Sequence, residues 1–202
     1  LFYFPDACSL APHIALRETR QAFTLAQVDY GTKRLDVGTD YRTLNPKGSV
    51  PALVLDDGEV LTEVAVMLQF IAAQSPGSTF VPADRGLLRW RCLEWLNYIA
   101  TELHKSVSPL YRASTPESFR QPGLAHLAAR FDLVEAVLAR QAYLCGSQYT
   151  IADMYLFVIC RWLPALKIDT ARWPAAGRFY ARVAQRPTVE AALAAEGLAD
   201  DG

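Results

Sequence analysis

The sequence has no surplus of either charge. Its 20 basic and 21 acidic residues leave a formal net charge of −1 over 202 residues. That balance excludes the basic footprint with which nucleic-acid binders hold phosphates, so no nucleic-acid partner is expected. Histidine is scarce, three in all, and no His/Cys cluster has metal-ligand spacing, so no metal is expected either. The four cysteines, Cys8, Cys92, Cys145 and Cys160, show no paired spacing. A reduced, cytoplasmic protein fits that usage better than a secreted disulfide framework. Long apolar runs are missing too. The longest uncharged stretch, Val64 to Ala83, is broken by Gln69, Gln74, Ser75, Pro76 and Gly77, too soon to span a bilayer, and no membrane partner is expected. The opening LFYFPDACSL has no basic flank and breaks at Pro5, so it does not read as a signal peptide. With no initial Met, a residue or two before Leu1 is expected. Internal repeats and low-complexity tracts are absent.

What is present is a 51% hydrophobic chain, long enough for one large domain or two small ones. The first 75 or so residues alternate in pattern. Leu1 to Phe4 reads as a strand and Leu10 to Glu18 as a helix, with Pro12 tolerated in its first turn. Thr24 to Asp29 reads as a second strand, and Gly31 to Thr43 as polar and irregular with a short helix. Ala52 to Asp56, the turn Asp57-Gly58 and Val60 to Thr62 form a hairpin, followed by a helix over Glu63 to Gln74. Val50-Pro51 opens the third strand, where a residue with no N–H to donate belongs. A cis bond there would leave the Val50 N–H and C=O free for an extended peptide.

SPGSTFVPAD, Ser75 to Asp84, reads as a linker. Helices come next, over Gly86 to Arg112, Ala125 to Tyr143, Ile151 to Leu166, Pro174 to Gln185 and Thr188 to Glu196. Leu127, Phe131, Val134 and Leu138 mark the buried stripe of the second of these. Thr150-Ile-Ala-Asp153 is a capping box, with Tyr149 and Met154 placed as its hydrophobic staple. The expected divisions are 1–75, a linker over 76–85, and 86–202.

Two features carry chemistry. Cys8 comes after a strand and precedes a helix. Unpaired amides at a helix start favour a thiolate, and such positions bring a cysteine from about 8.5 down to roughly 3.5–7.5. The alternative is a small buried hydrophobe, and both readings stay open. No second thiol lies three residues on, so Cys8 acts without a CxxC partner. The second feature is the long helix after the linker. Asn97, Thr101, His104, Lys105 and Ser108 fall at i, i+4, i+7, i+8 and i+11, one polar stripe opposite Leu88, Cys92, Trp95, Ile99 and Leu103. Asn, Thr, His and Ser are weak choices for a plain solvated helix, and a wet cleft explains them better.

Taken in order, ACSLA around Cys8, NPKGSVPAL from Asn45, LTE from Leu61, EWLNYIATELHK from Glu94 and the TIAD box make the whole chain resemble the glutathione S-transferases, the bacterial beta class in particular. The resemblance implies an α/β N-terminal thioredoxin-like domain plus an all-α C-terminal helical bundle, glutathione as co-substrate, and a homodimer. It implies glutathione contacts at Cys8, Lys33, Val50, Pro51, Glu63, Val64, Asn97, Thr101, Glu102, Leu103 and His104. Val50 would pair by backbone with the cysteinyl unit, and Glu63 would accept from the γ-glutamyl ammonium while helix-start amides take its carboxylate. Many transferases place Ser or Thr after this Glu; Val64 stands there in this chain and offers only its N–H. Cys8 and His104 are the expected catalytic pair, with Tyr3, Ser9 and Lys105 as accessory groups. Cys8 and His104 either lower the pKa of the glutathione thiol by hydrogen bonding, or Cys8 itself exchanges disulfides. The expected activity is conjugation of the glutathione thiolate to hydrophobic electrophiles in detoxification, with a disulfide reductase and a non-catalytic binding protein as alternatives. Tyr3 and the four tryptophans read as packing, and His13 and His126 as structural or surface.

Overall fold

The computed structural model of the chain describes residues 1–36, 38–75, 77–82, 86–112 and 114–198. Two compact units emerge, one of Leu1–Ser78 with the chain from Arg186 onward, the other Thr79–Gln185.

The first unit is built on a short sheet: β1 (Phe2–Tyr3), β2 (Ala26–Gln27), β3 (Ala52–Val54) and β4 (Val60–Thr62), in the order β2-β1-β3-β4. β1 runs parallel to β2 and antiparallel to β3, and β3 antiparallel to β4, with Leu53 opposite Leu61. The strands are shorter than the apolar runs suggest. The parallel pairing nevertheless extends past β1 and β2 through Leu1 N to Thr24 O (2.7 Å), Ala26 N to Leu1 O (2.9 Å) and Val28 N to Tyr3 O (2.8 Å). Gly58 turns the β3–β4 hairpin at φ +87°, a conformation open to glycine. α1 (Leu10–Glu18) and α2 (Val64–Ala73) bury Leu10, Ile14, Met67, Leu68 and Ile71 completely. Val28, Tyr41 and Ala52 form a second cluster with Phe2, Leu35 and Leu44. The short helix expected within Gly31 to Thr43 is a 3-10 turn, Tyr41–Thr43.

The second unit is helical. α3 (Leu87–Tyr98) continues through a π-helical stretch, Ile99–His104, a turn of α-helix, Lys105–Val107, and a 3-10 turn, Ser108–Tyr111. α4 spans Glu117–Leu138, starting earlier and ending earlier than Ala125 to Tyr143. Pro122 does not bar the earlier start. It lies in the second turn, where its missing N–H deprives only a first-turn carbonyl. Leu127, Phe131, Val134 and Leu138 are the buried residues of α4, the expected stripe. α5 (Ile151–Trp162) is buried along its whole length except Arg161, and Pro164 opens the 3-10 turn after it. α6 is Pro174–Ala184. Trp162 and Trp173 are buried, but Trp90 is 61% exposed and is not the packing residue expected.

Part of the expected linker lies outside the described residues, at 76 and 83–85. The part between is not free chain: Ile151 N donates to Phe80 O at 2.9 Å, and Gln148 Nε2 donates to Thr79 O. α7 (Pro187–Ala195) packs with α1 in the first unit, although the sequence pattern groups it with the other helices. Glu18 explains the attachment. Its carboxylate accepts from Arg186 Nε (2.6 Å), Arg186 Nη2 (3.1 Å) and Thr188 Oγ1 (2.7 Å). A second latch is built on a completely buried pair, His13 and Glu196. His13 Nδ1 lies 2.8 Å from Glu196 Oε1, and Arg17 Nε donates to His13 Nε2 at 2.9 Å. An arginine can only donate, so Nε2 is bare and the ring proton sits on Nδ1, facing the carboxylate. Glu196 Oε2 then accepts from Asp6 N at 3.3 Å, in the loop that leads to Cys8.

The capping box forms as expected. Asp153 Oδ2 accepts from Thr150 N (2.8 Å) and Thr150 Oγ1 (2.7 Å), and Oδ1 from Leu144 N (2.8 Å). Burial pushes the Asp153 carboxyl up to about 6, against the pull of those donors. A folded-state pKa above the unfolded value means that Asp153 favours folding fully below about pH 4 and loses that contribution as pH rises through about 6. Asp153→Asn removes the titration. The melting temperature of the wild type relative to the variant should therefore fall between pH 4 and pH 6, by the equivalent of roughly 2–3 kcal/mol; parallel melting curves over that range would contradict it.

Candidate functional site

In the first unit, Cys8 lies in the turn before α1, with Ala11 N bonded to its carbonyl at 3.2 Å. Ser9 fixes this turn. It is fully buried, its hydroxyl donates to Phe4 O at 3.2 Å and accepts from Phe4 N at 3.3 Å. That commits its one proton, and its side chain does not cap α1. Ser9 is therefore a loop fastener rather than the accessory donor expected. Tyr3 is buried packing, as expected, with its hydroxyl 3.4 Å from Gln27 Oε1 and its pKa pushed up by burial.

The Cys8 thiol donates to Val50 O at 3.3 Å. A carbonyl cannot donate in return, so the sulfur carries the proton in this arrangement. Desolvation pushes the Cys8 thiol up to about 12, and the charge of Glu63 adds to it; the amides of Cys8 and Ser9 pull the other way and lose. Of the two readings left open, burial rather than the helix start governs this sulfur. Cys8 retains some exposed surface, yet protein crowds the sulfur closely enough that dehydration outweighs the local dipoles.

Val50-Pro51 is cis. The turn ahead of it is held by Asn45, almost wholly buried, whose Nδ2 donates to Ser49 O (2.7 Å) and to Tyr41 Oη (3.3 Å), while Tyr41 Oη also donates to Ser49 O (2.9 Å). The half-buried Val50 thus presents a carbonyl already engaged by Cys8, not the free one expected, and an N–H without an acceptor among the described residues.

Glu63 ends the sheet and caps α2 in a left-handed conformation, φ +70°. Such a residue costs roughly 1–3 kcal/mol and persists where its surroundings dictate it. Its carbonyl takes the amides of Val66 (3.1 Å) and Met67 (2.9 Å), so those of Val64 and Ala65 form the open start of the helix. Its carboxylate accepts from Lys47 Nζ at 2.6 Å, and Lys47 also donates to Thr62 Oγ1 at 2.9 Å. Lys47, bonded to the candidate site residue Glu63, is absent from the sequence-based set, although it lies inside the NPKGSVPAL motif. Lys33 stands over the Tyr30 ring, Nζ 4.0 Å from its centroid, a cation–π contact rather than a contact with these groups.

In the second unit the polar stripe divides. Each residue of a π-helix advances less than in an α-helix, so six of them swing the remainder of the helix by roughly a quarter turn or more. Asn97 and Thr101 remain exposed, with Thr101 Oγ1 donating to Asn97 O at 3.0 Å. They line an open groove of about 480 Å³ with Glu94, Tyr98, Glu102 and Arg130. Glu102 is paired with Arg130 at 2.7 Å. Leu103 is completely buried. Lys105 is exposed. His104 faces another way: Nδ1 lies 2.6 Å from Tyr155 Oη, and its ring lies 5.0 Å from that of Trp162. Tyr111 donates to Trp162 O at 2.7 Å and packs edge-on against the Trp162 ring. Tyr155 is hidden from sequence reading inside the apolar run of α5. Among the described residues, no helix is long and apolar enough to cross a membrane, and no group of three His, Cys, Asp or Glu could hold a metal ion.

A protonated Cys8 should alkylate slowly. In the folded protein its reaction with iodoacetamide at pH 8 should be at least roughly a hundredfold slower than in the unfolded chain, where cysteine titrates near 8.5. Peptide-resolved rates rising without a plateau to above pH 10 are expected; a plateau below about 8.5 would contradict the assignment.

Residues 7–74 match the family model "Glutathione S-transferase, N-terminal domain" and residues 98–187 match "Glutathione S-transferase, C-terminal domain". The chain is 46% identical over 198 residues to Glutathione S-transferase GstA of Escherichia coli O157:H7, covering 98% of each. It is 33% identical to Glutathione S-transferase GST-4.5 of Xanthomonas campestris pv. campestris, again over 98% of each. Among solved structures it superposes on BphK, a bacterial transferase in a ternary complex, with a TM-score of 0.95 at 43% identity, covering 98% of this chain and 99% of that one. A sphingomonad glutathione S-transferase complexed with glutathione gives 0.94 at 42%, with the same coverage. A beta-class enzyme of Sphingomonas chungbukensis gives 0.94 at 41%, covering 98% of each chain. With both family domains matched in order and relatives this similar over nearly all of its length, the chain belongs to the glutathione S-transferase family and lies among its bacterial beta-class members.

Proposed function

We propose that this protein binds glutathione in its first unit and transfers the glutathione thiolate to a hydrophobic electrophile, with Cys8 serving as a neutral hydrogen-bond donor to the glutathione sulfur. The observation that carries this reading is the Cys8 thiol held protonated against Val50 O at 3.3 Å. When an extended cysteinyl unit pairs with Val50 by strand addition, its sulfur competes for that same S–H. A hydrogen bond to an ionised acceptor is worth about 1.5–3 kcal/mol, or one to two pH units on the ligand thiol. The protein's own sulfur then stabilises the anion without becoming one. This supports hydrogen-bond activation over disulfide exchange led by Cys8, which needs a thiolate on the protein.

The ends of the tripeptide find complementary groups. Glu63 accepts from the γ-glutamyl ammonium, and the open amides of Val64 and Ala65 donate to its α-carboxylate. Lys47 is the residue displaced. Its pair with Glu63 is exposed on both sides, and such pairs are worth about 0–1 kcal/mol, so exchange costs little. Lys33, Asn97, Thr101, Glu102 and His104 are assigned to glutathione on the family resemblance, with His104 the second donor to sulfur. Tyr155 would hold the imidazole for that task. A cytoplasmic homodimer and a detoxifying role complete the reading.

The pH profile of conjugation with a halonitroarene is the test. Cys8→Ala should raise the apparent pKa by about one to two units and lower the rate at neutral pH roughly tenfold, with the two profiles converging at high pH. An unshifted profile would contradict the role given to Cys8. Glu63→Gln should weaken glutathione binding, read by calorimetry, by about tenfold while leaving the apparent pKa of conjugation in place. Unchanged affinity would remove Glu63 from the site.

A further inference from the structure

His104 leaves the polar stripe because the π-helical stretch Ile99–His104 ends on it and turns it toward α5. Stretches of this kind recur at functional sites. The His104 backbone is held as well, its carbonyl accepting from Ser108 Oγ at 3.0 Å. Tyr155 and Trp162 lie seven residues apart on α5 and so share one face of that helix. Both meet the imidazole. The Trp162 ring is tilted against it with centroids 5.0 Å apart, the Tyr155 ring stands edge-on at 5.9 Å, and Tyr155 Oη is 2.6 Å from Nδ1. Tyr155 is 2% exposed, and Asp153, two residues before it, fastens the start of α5. The phenol therefore stands on a fixed support.

The length of this contact points to the donor. N–H···O bonds run from about 2.7 to 3.2 Å, whereas O–H donors approach their acceptors to about 2.5–3.0 Å. At 2.6 Å the contact lies inside the second range and short of the first. The chemistry agrees. A phenol O–H is a more acidic donor than the N–H of a neutral imidazole, and a bare ring nitrogen is a more basic acceptor than a phenol oxygen. With Nδ1 accepting, the neutral ring carries its one proton on Nε2.

We propose that Tyr155 is a positioning residue whose hydroxyl fixes His104 as the neutral Nε2–H tautomer, so that the far end of the ring presents a donor. The inference rests on the proposed role of His104 as second donor to the glutathione sulfur. In the other tautomer Nε2 would be bare, and its lone pair would repel a thiolate instead of binding it. Tyr155 takes no part in bond making and acts through the imidazole, while Trp162 packs against the ring and limits its rotation.

The test begins with the ligand-free, full-length protein carrying isotope-labelled histidine, above the ordinary imidazole range. Long-range proton–nitrogen correlation spectra should show His104 with its proton on Nε2 and a hydrogen bond accepted at Nδ1. Tyr155→Phe keeps the ring and removes only the hydroxyl, and it should shift the Nδ1 signal. An Nδ1–H tautomer in the wild type, or an Nδ1 signal indifferent to loss of the hydroxyl, would overturn the proposal whatever the conjugation rates. Conjugation with a halonitroarene reads the consequence. Tyr155→Phe should lower kcat roughly tenfold and change the KM for glutathione by less than about twofold. In a His104→Phe background the same substitution should lower kcat no further. An unchanged kcat, or an equal loss in both backgrounds, would mark Tyr155 as a packing residue and overturn the proposal. Full activity in His104→Phe would instead strike at the glutathione reading of His104 itself, leaving Tyr155 nothing to position.

Discussion

The candidate site depends on the dehydration of one sulfur. Cys8 is crowded by protein and its S–H is directed at Val50 O. With its pKa held near 12, the protein presents a proton where a thiolate would otherwise repel a second anionic sulfur. In the proposed reading an extended peptide would dock at the same residue, so that donor and docking edge would be positioned by a single contact. Had the helix start prevailed, Cys8 would be an anion, and the chemistry open to the site would be disulfide exchange instead of activation of another thiol.

Holding that contact takes three separate fasteners, each built on a buried polar side chain with hydrogen-bond partners. Ser9 ties the loop to Phe4 through both its donor and its acceptor. Asn45 and Tyr41 converge on Ser49 O and set Val50 in place. Glu196 reaches from the end of α7 to Asp6 N, backed by His13 and Arg17. Leaving one such group unpaired costs about 1–3 kcal/mol, so each works as a constraint on geometry as much as on stability. The groups proposed to meet the ligand are different in kind. Glu63 and Lys47 form an exposed pair, easily exchanged. Rigidity lies beneath the site and exchangeable charge at its surface.

Much of this is legible in the chain. The β-α-β then β-β-α order, the Asp57-Gly58 hairpin, the capping box at Thr150 and the stripe of Leu127, Phe131, Val134 and Leu138 come from period and turn chemistry, and all appear in the structure. The motif around Cys8 places the sulfur in the turn before α1, where the structure has it. Its protonation state is another matter, because the benefit of a helix start is local in sequence whereas desolvation depends on what packs around it from Val50 and beyond. The stripe from Asn97 to Ser108 assumes 3.6 residues per turn; the π-helical stretch Ile99–His104 breaks that register and has no obvious sequence signature. Lys47 and Tyr155 escape sequence reading for a related reason. Each gains its role from a partner distant in sequence, Glu63 in one case and His104 in the other. α7 groups by pattern with the helices before it, since nothing in its own amphipathic pattern reveals that Glu18 and His13 receive it.

The most direct measurement is a titration of thiolate absorbance in the protein with and without saturating glutathione. One thiolate per chain should appear only when glutathione is bound, at a pH below the ordinary thiol range near 8.5, and should move upward in Cys8→Ala. A thiolate present in the ligand-free protein near neutral pH, and lost on replacing Cys8, would show that the anionic sulfur belongs to the protein and contradict the claim.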